Sequence, residues 1–394
     1  SSFGKDFGAL TLPKVSLSYV ISDESFFPRS SLLSSLRLRA STGESAVQPG
    51  PTDALLTYGT ATWNDGAADL PGVVFTSLGN SALTPERGRE TEAGFEIGLL
   101  KSMVNLEFTY YEKLSTNGLL SRTLPPSVGG PATQLGNLAS VSNRGFEYLL
   151  NLKLIDGVNF GADFIMNGSR NVNRLQSLGD VAPIIGTTTR QVPGFPVNGY
   201  WARPITGYSD ANNDGILVAS EVTVGPNFEY VGVQLPVHEM TFQGGFEFWR
   251  RRIRVSALVD RKTGHHILNG TDRIRCESRL NCRGVADRNA PLWEQARAVA
   301  VRLDPSRTQF GFMEAADFTR LREVSINAQL PQSWARAMKG RDVSVTLAAR
   351  NLKLWTIYSG IDPESNYLSG TGFQSDFQTQ PPPAYYTIRF NYGF

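Results

Sequence analysis

The 394-residue sequence contains no uninterrupted apolar run near the roughly 18 residues that a membrane-spanning helix requires. A helical membrane protein is therefore excluded. A membrane β-barrel is not, because a barrel strand dilutes its apolar residues by alternation. Neither sign of charge is in excess: 38 basic residues stand against 36 acidic ones, so nothing points to nucleic acid or another polyanion as partner. Histidine is scarce, with three copies, and no Ser-His-Asp, Cys-His or metal-protease spacing occurs. The expectation is that the chain is not an enzyme, and that His238, His265 and His266 are solvated loop residues. Cysteine is scarcer still: Cys276 and Cys282 lie six apart. In an oxidising compartment that spacing closes a small disulfide loop; in a cytosolic protein the two are unrelated thiols. The N-terminal Ser-Ser-Phe-Gly-Lys lacks a basic segment followed by an apolar core, so no signal peptide is expected, and the sequence reads as a mature product or a fragment.

Aromatic residues at 10% and 38 glycines favour an all-β protein with many turns. The last nine residues set the theme. Tyr386, Ile388, Phe390, Tyr392 and Phe394 alternate with Thr387, Arg389, Asn391 and Gly393, which describes a strand with one apolar and one polar face. Ten earlier segments repeat it: Val15–Tyr19, Leu36–Ala40, Glu90–Leu100, Val104–Tyr110, Phe146–Leu154, Phe160–Phe164, Phe242–Phe248, Ile253–Val259, Val324–Ala328 and Val343–Leu347. The connections sort by length. Short ones fall at residues 100–102, 155–157 and 249–251, and intermediate ones at 22–33 and 331–340, the latter a predicted helical turn. Long ones cover 42–89, 115–142, 171–239, 261–316 and 351–384. Long and short alternate throughout. A soluble β-sandwich also alternates its side chains, but it has little reason to gather its long loops at one end. The pattern predicts an antiparallel transmembrane β-barrel, with long extracellular loops and short periplasmic turns. Glu90, Glu92, Glu96, Glu107, Glu147, Asp163, Glu247 and Glu323 would then face a wet lumen, because toward lipid a mid-depth charge costs a few kcal/mol.

Several stretches carry a resemblance to a known family. They are Leu36-Arg-Leu-Arg-Ala-Ser-Thr-Gly43, and Gly79-Asn-Ser-Ala-Leu-Thr-Pro-Glu86 with Glu90 and Gly94. To these are added Asn143-Arg-Gly-Phe-Glu147, Asn351-Leu-Lys-Leu-Trp-Thr-Ile-Tyr-Ser-Gly-Ile-Asp-Pro-Glu364, and the aromatic last strand. In this order, over nearly the whole chain, they resemble the SusC/RagA group of TonB-linked outer-membrane transporters. The resemblance implies that residues 1–394 are the C-terminal part of the receptor β-barrel, supplying about 11 strands of a barrel of about 22. Plug domain, TonB-contact segment and first strands have no counterpart here, so the expected partners are the rest of barrel and plug, in the same polypeptide or a second chain. It further implies outer-membrane localisation, TonB-driven import of oligosaccharides or peptides, and a SusD-like surface lipoprotein over the loops. The alternative is a passive porin or a surface-binding, adhesin-like barrel without energy coupling. The last strand, Tyr386 to Phe394, resembles the signal by which outer-membrane barrels are recognised for assembly.

Two further features lie in loops. Within the long loop assigned to 172–239, Asp210-Ala-Asn-Asn-Asp-Gly-Ile-Leu-Val-Ala-Ser-Glu221 fits the twelve-residue calcium loop. Side chains of Asp210, Asn212, Asp214 and Glu221 and the carbonyl of Ile216 would be ligands to a structural Ca2+, with Gly215 at the sharp turn. The bland alternative is an Asn/Asp/Gly turn without metal. Trp355, Tyr358 and Tyr367 are candidate ligand contacts, since aromatic faces stack on sugars and anchor peptides; interfacial girdle is the competing reading for the first two.

Overall fold

All eleven alternating segments form strands, and they pair in strict sequence order as one antiparallel sheet. The computed structural model describes residues 9–28, 30–179, 181–366 and 374–394. The strands are β1 (Lys14–Val20), β2 (Leu33–Val47), β3 (Glu86–Leu99), β4 (Val104–Thr123), β5 (Thr133–Asp156), β6 (Gly161–Ser177), β7 (His238–Phe248), β8 (Ile253–Thr263), β9 (Phe318–Gln329), β10 (Asp342–Thr356) and β11 (Tyr385–Gly393). Among the described residues β1 and β11 are the sheet's edges.

The register turns the period of two into two surfaces. Residues Leu36, Ile97, Leu106, Leu150, Met166, Phe242, Val259 and Leu321 stand opposite one another from β2 to β9, every one apolar. On the other surface Ser18, Arg39, Gly94, Thr109, Glu147, Ser169, Glu239 and Lys262 form the matching polar row. A one-residue slip would exchange the two, so the apolar face fixes the register. The apolar surface has no protein cover: Ile388 is 79% exposed and Tyr386 77%. Phe95, Phe108 and Phe146 stack along it at centroid separations of 5.8 and 5.9 Å. A two-faced sheet with aromatic rows on its bare side is the wall of a transmembrane barrel.

The strands run further than the alternation. β4 has 20 residues and β5 has 24, whereas about 9–11 cross the hydrocarbon. Their upper halves pair above the lipid band, where Leu120, Ala139 and Val141 pack with Leu175, Leu178, Ile184 and Val197 and no lipid-facing apolar period is imposed. The predicted loops shrink accordingly. The 115–142 loop is mostly a continuation of the β4–β5 hairpin, and 42–89 contains its own hairpin, Thr57–Asn64 with Asp69–Ser77. The loop assigned to 172–239 loses its ends to β6 and β7. At the opposite end the turns are tight. Leu100, Lys101 and Ser102 take φ of 52°, 58° and 62°, and Trp249, Arg250 and Arg251 take 56°, 57° and 59°. The helical turn is present as Gln332–Ala337, and the Tyr392 hydroxyl donates to the Met338 carbonyl at its end (2.7 Å).

Candidate functional site

The polar face is laced with ion pairs that cross strands. Arg39 reaches Glu96 at 3.3 Å and donates to Thr109 Oγ1 at 2.5 Å. Lys262 meets Glu239 at 3.1 Å, and Arg254 bridges Asp163 (2.6 Å) and Glu247 (3.1 Å). Arg350 holds Glu323 at 2.5 Å. Each is half-exposed and so contributes little to stability. Their effect is to line one side of the wall with fixed hydrogen-bonding groups. Glu92, Glu107 and Glu147 have no cation partner among the described residues and give the middle of the wall an acidic cast. Toward the loop side, Asn143 accepts from Asn171 (3.3 Å) and Asn173 (2.9 Å). Above these asparagines a cavity of about 640 Å³ opens beneath residues 196–198 and 230–237, lined also by His266.

Three long connections fold over this end into one cap. Residues 181–237 meet 264–317 and, after β10, residues 357–366 and 374–380. Tyr200, Ala202, Leu268, Cys276, Cys282, Ala298, Val301, Phe312 and Met313 are its core. Four α-helices are found among the described residues: α1 (Gly270–Ile274), α2 (Arg283–Ala286), α3 (Leu292–Arg302), and α4, the turn-side Gln332–Ala337. The first three lie in the cap. α3 follows Pro291, carries Glu294 in its first turn and Arg302 in its last, and is rich in alanine, all of which suit a helix. Buried ion pairs hold the cap: Arg297 contacts Asp272 at 2.6 Å and Glu314 at 2.9 Å, and Arg320 contacts Asp362 at 2.6 Å. Arg322 ties Asp260 to Glu364, both at 2.5 Å. Cys276 and Cys282 are joined in a disulfide within the core.

The structure sorts the site residues expected from the sequence. Asp210, Asn212, Asp214, Ile216 and Glu221 sit on one wound loop. Asp210 accepts from the Asp214 and Gly215 amides (3.2 and 2.9 Å), and Glu221 from those of Ala211 and Val218 (2.9 and 3.1 Å). The Asp214 carboxylate accepts from the Ile216 amide (2.8 Å), and Gly215 takes φ of 81°. Gln295, buried on α3, clamps the loop by donating to the Gly215 carbonyl (3.1 Å) and accepting from Leu217 (2.9 Å). Yet among the described residues no three Asp, Glu, His or Cys side chains converge as metal ligands. The loop's carboxylates accept from its own backbone amides.

Trp355 is 51% exposed on the apolar side, beside Thr319. Tyr358 corrects its expectation: it is 5% exposed and donates to Asp376 at 2.6 Å, so its ring packs the cap and presents no face to a ligand. Burial raises both the Tyr358 phenol and the Asp376 carboxyl above their usual ranges. Tyr367 lies outside the described residues. On β11, Tyr386, Ile388, Phe390 and Tyr392 face outward opposite Ala349, Leu347, Val345 and Val343, and Phe394 is 92% exposed.

The histidines are the second correction. His238 begins β7 and pairs with Arg170; His265 is 5% exposed against Phe318; His266 pairs with Ala315. Burial pushes the His265 imidazole down from 6.5 to about 4. An unfolded chain binds that proton first, so the contribution is full above pH 6.5 and is lost as pH falls toward 4. The shift is worth on the order of 3 kcal/mol. The protection of amides across 265–268 and 312–318, taken relative to the intrinsic exchange rate at each pH, should therefore fall between pH 7 and pH 5. His265→Gln should flatten that difference while the opposing contribution of Asp376 remains; an equal pH response in the variant would remove His265 as its source.

The fold defines a class, the wall of a transmembrane β-barrel with a loop-side cap. Residues 1–249 match the family described as TonB dependent receptor-like, beta-barrel. The chain belongs to that family, and this agrees with the SusC/RagA resemblance of its motifs. It is 24% identical to TonB-dependent receptor P26 of Formosa agariphila, covering 97% of this chain and 42% of the relative. It is 23% identical to TonB-dependent receptor P3 of the same organism, covering 100% and 43%. Its fold matches the RagAB peptide importer in the closed-closed state with a TM-score of 0.81 at 18% identity, covering all of this chain and 44% of that one. The open-open state gives 0.78 at 20% identity. The chain thus spans less than half the length of the relatives it matches. These relatives are receptors and transporters by name.

Proposed function

We propose that this chain is the C-terminal half of a TonB-dependent outer-membrane barrel of about 22 strands, and that the whole imports oligosaccharides or peptides. The carrying observation is the two-faced, eleven-stranded sheet, whose polar face and cap offer a dense array of hydrogen-bonding groups to a polar solute. The further strands would pair with β1 and β11, because an unpaired edge in hydrocarbon leaves backbone groups unsatisfied at several kcal/mol each. A plug would fill the lumen and pass energy from TonB, and a SusD-like lipoprotein would cover the cap. The test is uptake of labelled oligosaccharide and peptide pools by cells lacking the intact protein and by cells lacking TonB. Equal loss of the same solutes in both supports the reading. Uptake that needs the protein but not TonB favours the passive porin.

Calcium at Asp210, Asn212, Asp214, Ile216 and Glu221 belongs to the same reading, as a structural ion pinning the loop to α3. Tyr208 and Trp293, with rings 5.9 Å apart, stand beside the loop and suit sensitised terbium luminescence. On the intact protein, terbium emission should saturate, be displaced by Ca2+, and fall at least tenfold in Glu221→Gln. Emission equal in wild type and variant would leave an Asx-turn loop without metal.

A further inference from the structure

The outward face of the sheet changes character along its height. Its lower and middle rows are apolar. Along the strands, its basic residues occur only toward the loop side: Arg87, Arg89, Arg144, Arg170, Arg174, Arg261 and Lys353. The register fixes their direction. Arg170 stands between Phe146 and His238, Arg174 opposite Ser142, and Arg261 between Met240 and Thr319, all outward positions. Two carboxylates share this face among the described strand residues, and both are taken: Glu44 by Arg87 (3.4 Å) and Glu112 by Arg144 (2.7 Å). The remaining Arg89, Arg170, Arg174, Arg261 and Lys353 are exposed, with no carboxylate partner among the described residues.

Their height is what makes them informative. Arg261 lies eight residues above Ile253, Arg170 nine above Gly161, Arg89 ten above Leu99, Lys353 eleven above Asp342 and Arg174 thirteen above Gly161. A tilted strand crosses the apolar band in about 9–11 residues. The cations therefore ring the wall where the hydrocarbon ends on the loop side. Trp355, two residues from Lys353 and level with Arg261, supplies an aromatic ring at the same boundary. Seven basic residues stand here against two acidic ones, both already paired with an arginine. An excess of positive charge at the acyl–headgroup boundary fits a layer of fixed anions.

We propose that this collar binds the phosphate groups of a phosphorylated glycolipid in the outer leaflet, with the acyl chains lying on the apolar rows below. The inference rests on the outer-membrane reading given above. Fixed positive charge suits the task, since each basic group near an anionic headgroup layer contributes about 1 kcal/mol of attraction.

The test uses the intact transporter, purified in nonionic detergent and loaded with bisphosphorylated lipid A or with the same lipid dephosphorylated. Retained lipid is quantified by mass spectrometry. Wild type should retain the phosphorylated form at least tenfold better, and millimolar inorganic phosphate should not displace it. Each cation removed should weaken retention roughly fivefold, so Arg170→Gln with Arg174→Gln, and Arg261→Gln with Lys353→Gln, should each lose more than tenfold. Arg170→Lys with Arg174→Lys should retain most of the binding, which guards against a folding artefact, and heat-modifiable gel migration checks that every variant is a closed barrel. Equal retention of the two lipids, undiminished retention by both glutamine pairs, or displacement by free phosphate would each overturn the proposal. Absence of the wild-type protein from the membrane fraction would instead overturn the barrel reading on which it rests.

Discussion

Leu150→Arg in the intact barrel should cost about 2–4 kcal/mol of folding stability in lipid, whereas Asn151→Arg, one residue along β5, should cost under about 1 kcal/mol. Leu150 pairs with Leu106 and Met166 in the apolar row, six residues above the strand's lower end at Asp156. An arginine there stands in mid-hydrocarbon, too deep for its stem to reach water without distorting the bilayer. Asn151 faces the other way, opposite Asn105 and Ile165, where the wall is wet. Denaturant titration of both variants folded into vesicles measures the contrast. Equal costs would mean that the two faces of β5 meet the same medium, which no membrane barrel allows.

Arg320→Ala should open the cap. Arg320 and Asp362 have side chains 4% and 3% exposed and lie 2.6 Å apart. Removing one partner leaves a buried carboxylate with the Glu364 amide as its remaining donor (2.9 Å), at a cost of about 3–5 kcal/mol. Because the pair ties β9 to the segment after β10, the loss should appear as local opening while the barrel stays closed. Limited proteolysis within 357–366 should accelerate by at least a hundredfold, with heat-modifiable migration unchanged. Replacing both partners, Arg320→Met with Asp362→Leu, should restore most of the protection, since a buried ion pair exchanged for apolar groups is often neutral. Unchanged cleavage in the single variant would show that the pair does not hold the segment.

The wall was legible in the sequence because one rule governs it: the hydrocarbon demands an apolar residue at every second position. That rule located all eleven strands and their outward faces. It failed where the solvent no longer enforces it. The upper halves of β4 and β5 carry runs such as Leu114-Ser-Thr-Asn-Gly118, which pair as strands without alternating. The cap was hidden for a different reason. Its contacts join residues far apart in the chain, as Tyr200 to Gln374 and Thr308 to Arg203, and no local period records them. Helix α3 did leave a signal: Pro291 is followed, after Leu292 and Trp293, by Glu-Gln-Ala-Arg-Ala-Val-Ala, a run made mostly of good helix formers. The burial of His265 and Tyr358 follows from the cap, so neither could be read before the cap was known. In the calcium-like loop the turn at Gly215 was legible, while the clamp that Gln295 places on it from α3 was not, because 80 residues separate the two.

The strict sequence order of the sheet also bears on how the chain acquires its structure. Every strand pairs with its immediate predecessor, so no pairing within this sheet waits for a distant segment. The cost of bringing two ends together grows with the logarithm of the chain between them, and the 60-residue connection from β6 to β7 costs roughly 2 kcal/mol more to close than a four-residue turn. The hairpins β3–β4, β5–β6 and β7–β8 are therefore the natural first units. Each begins at a turn-side link of four residues, 100–103, 157–160 or 249–252. The cap, whose parts are separated by up to 174 residues at the Tyr200–Gln374 contact, can form only after these units are aligned. Formation of the wall and formation of the cap are then kinetically separate events, and the left-handed turns at Lys101 and Arg250 fix where the first of them starts.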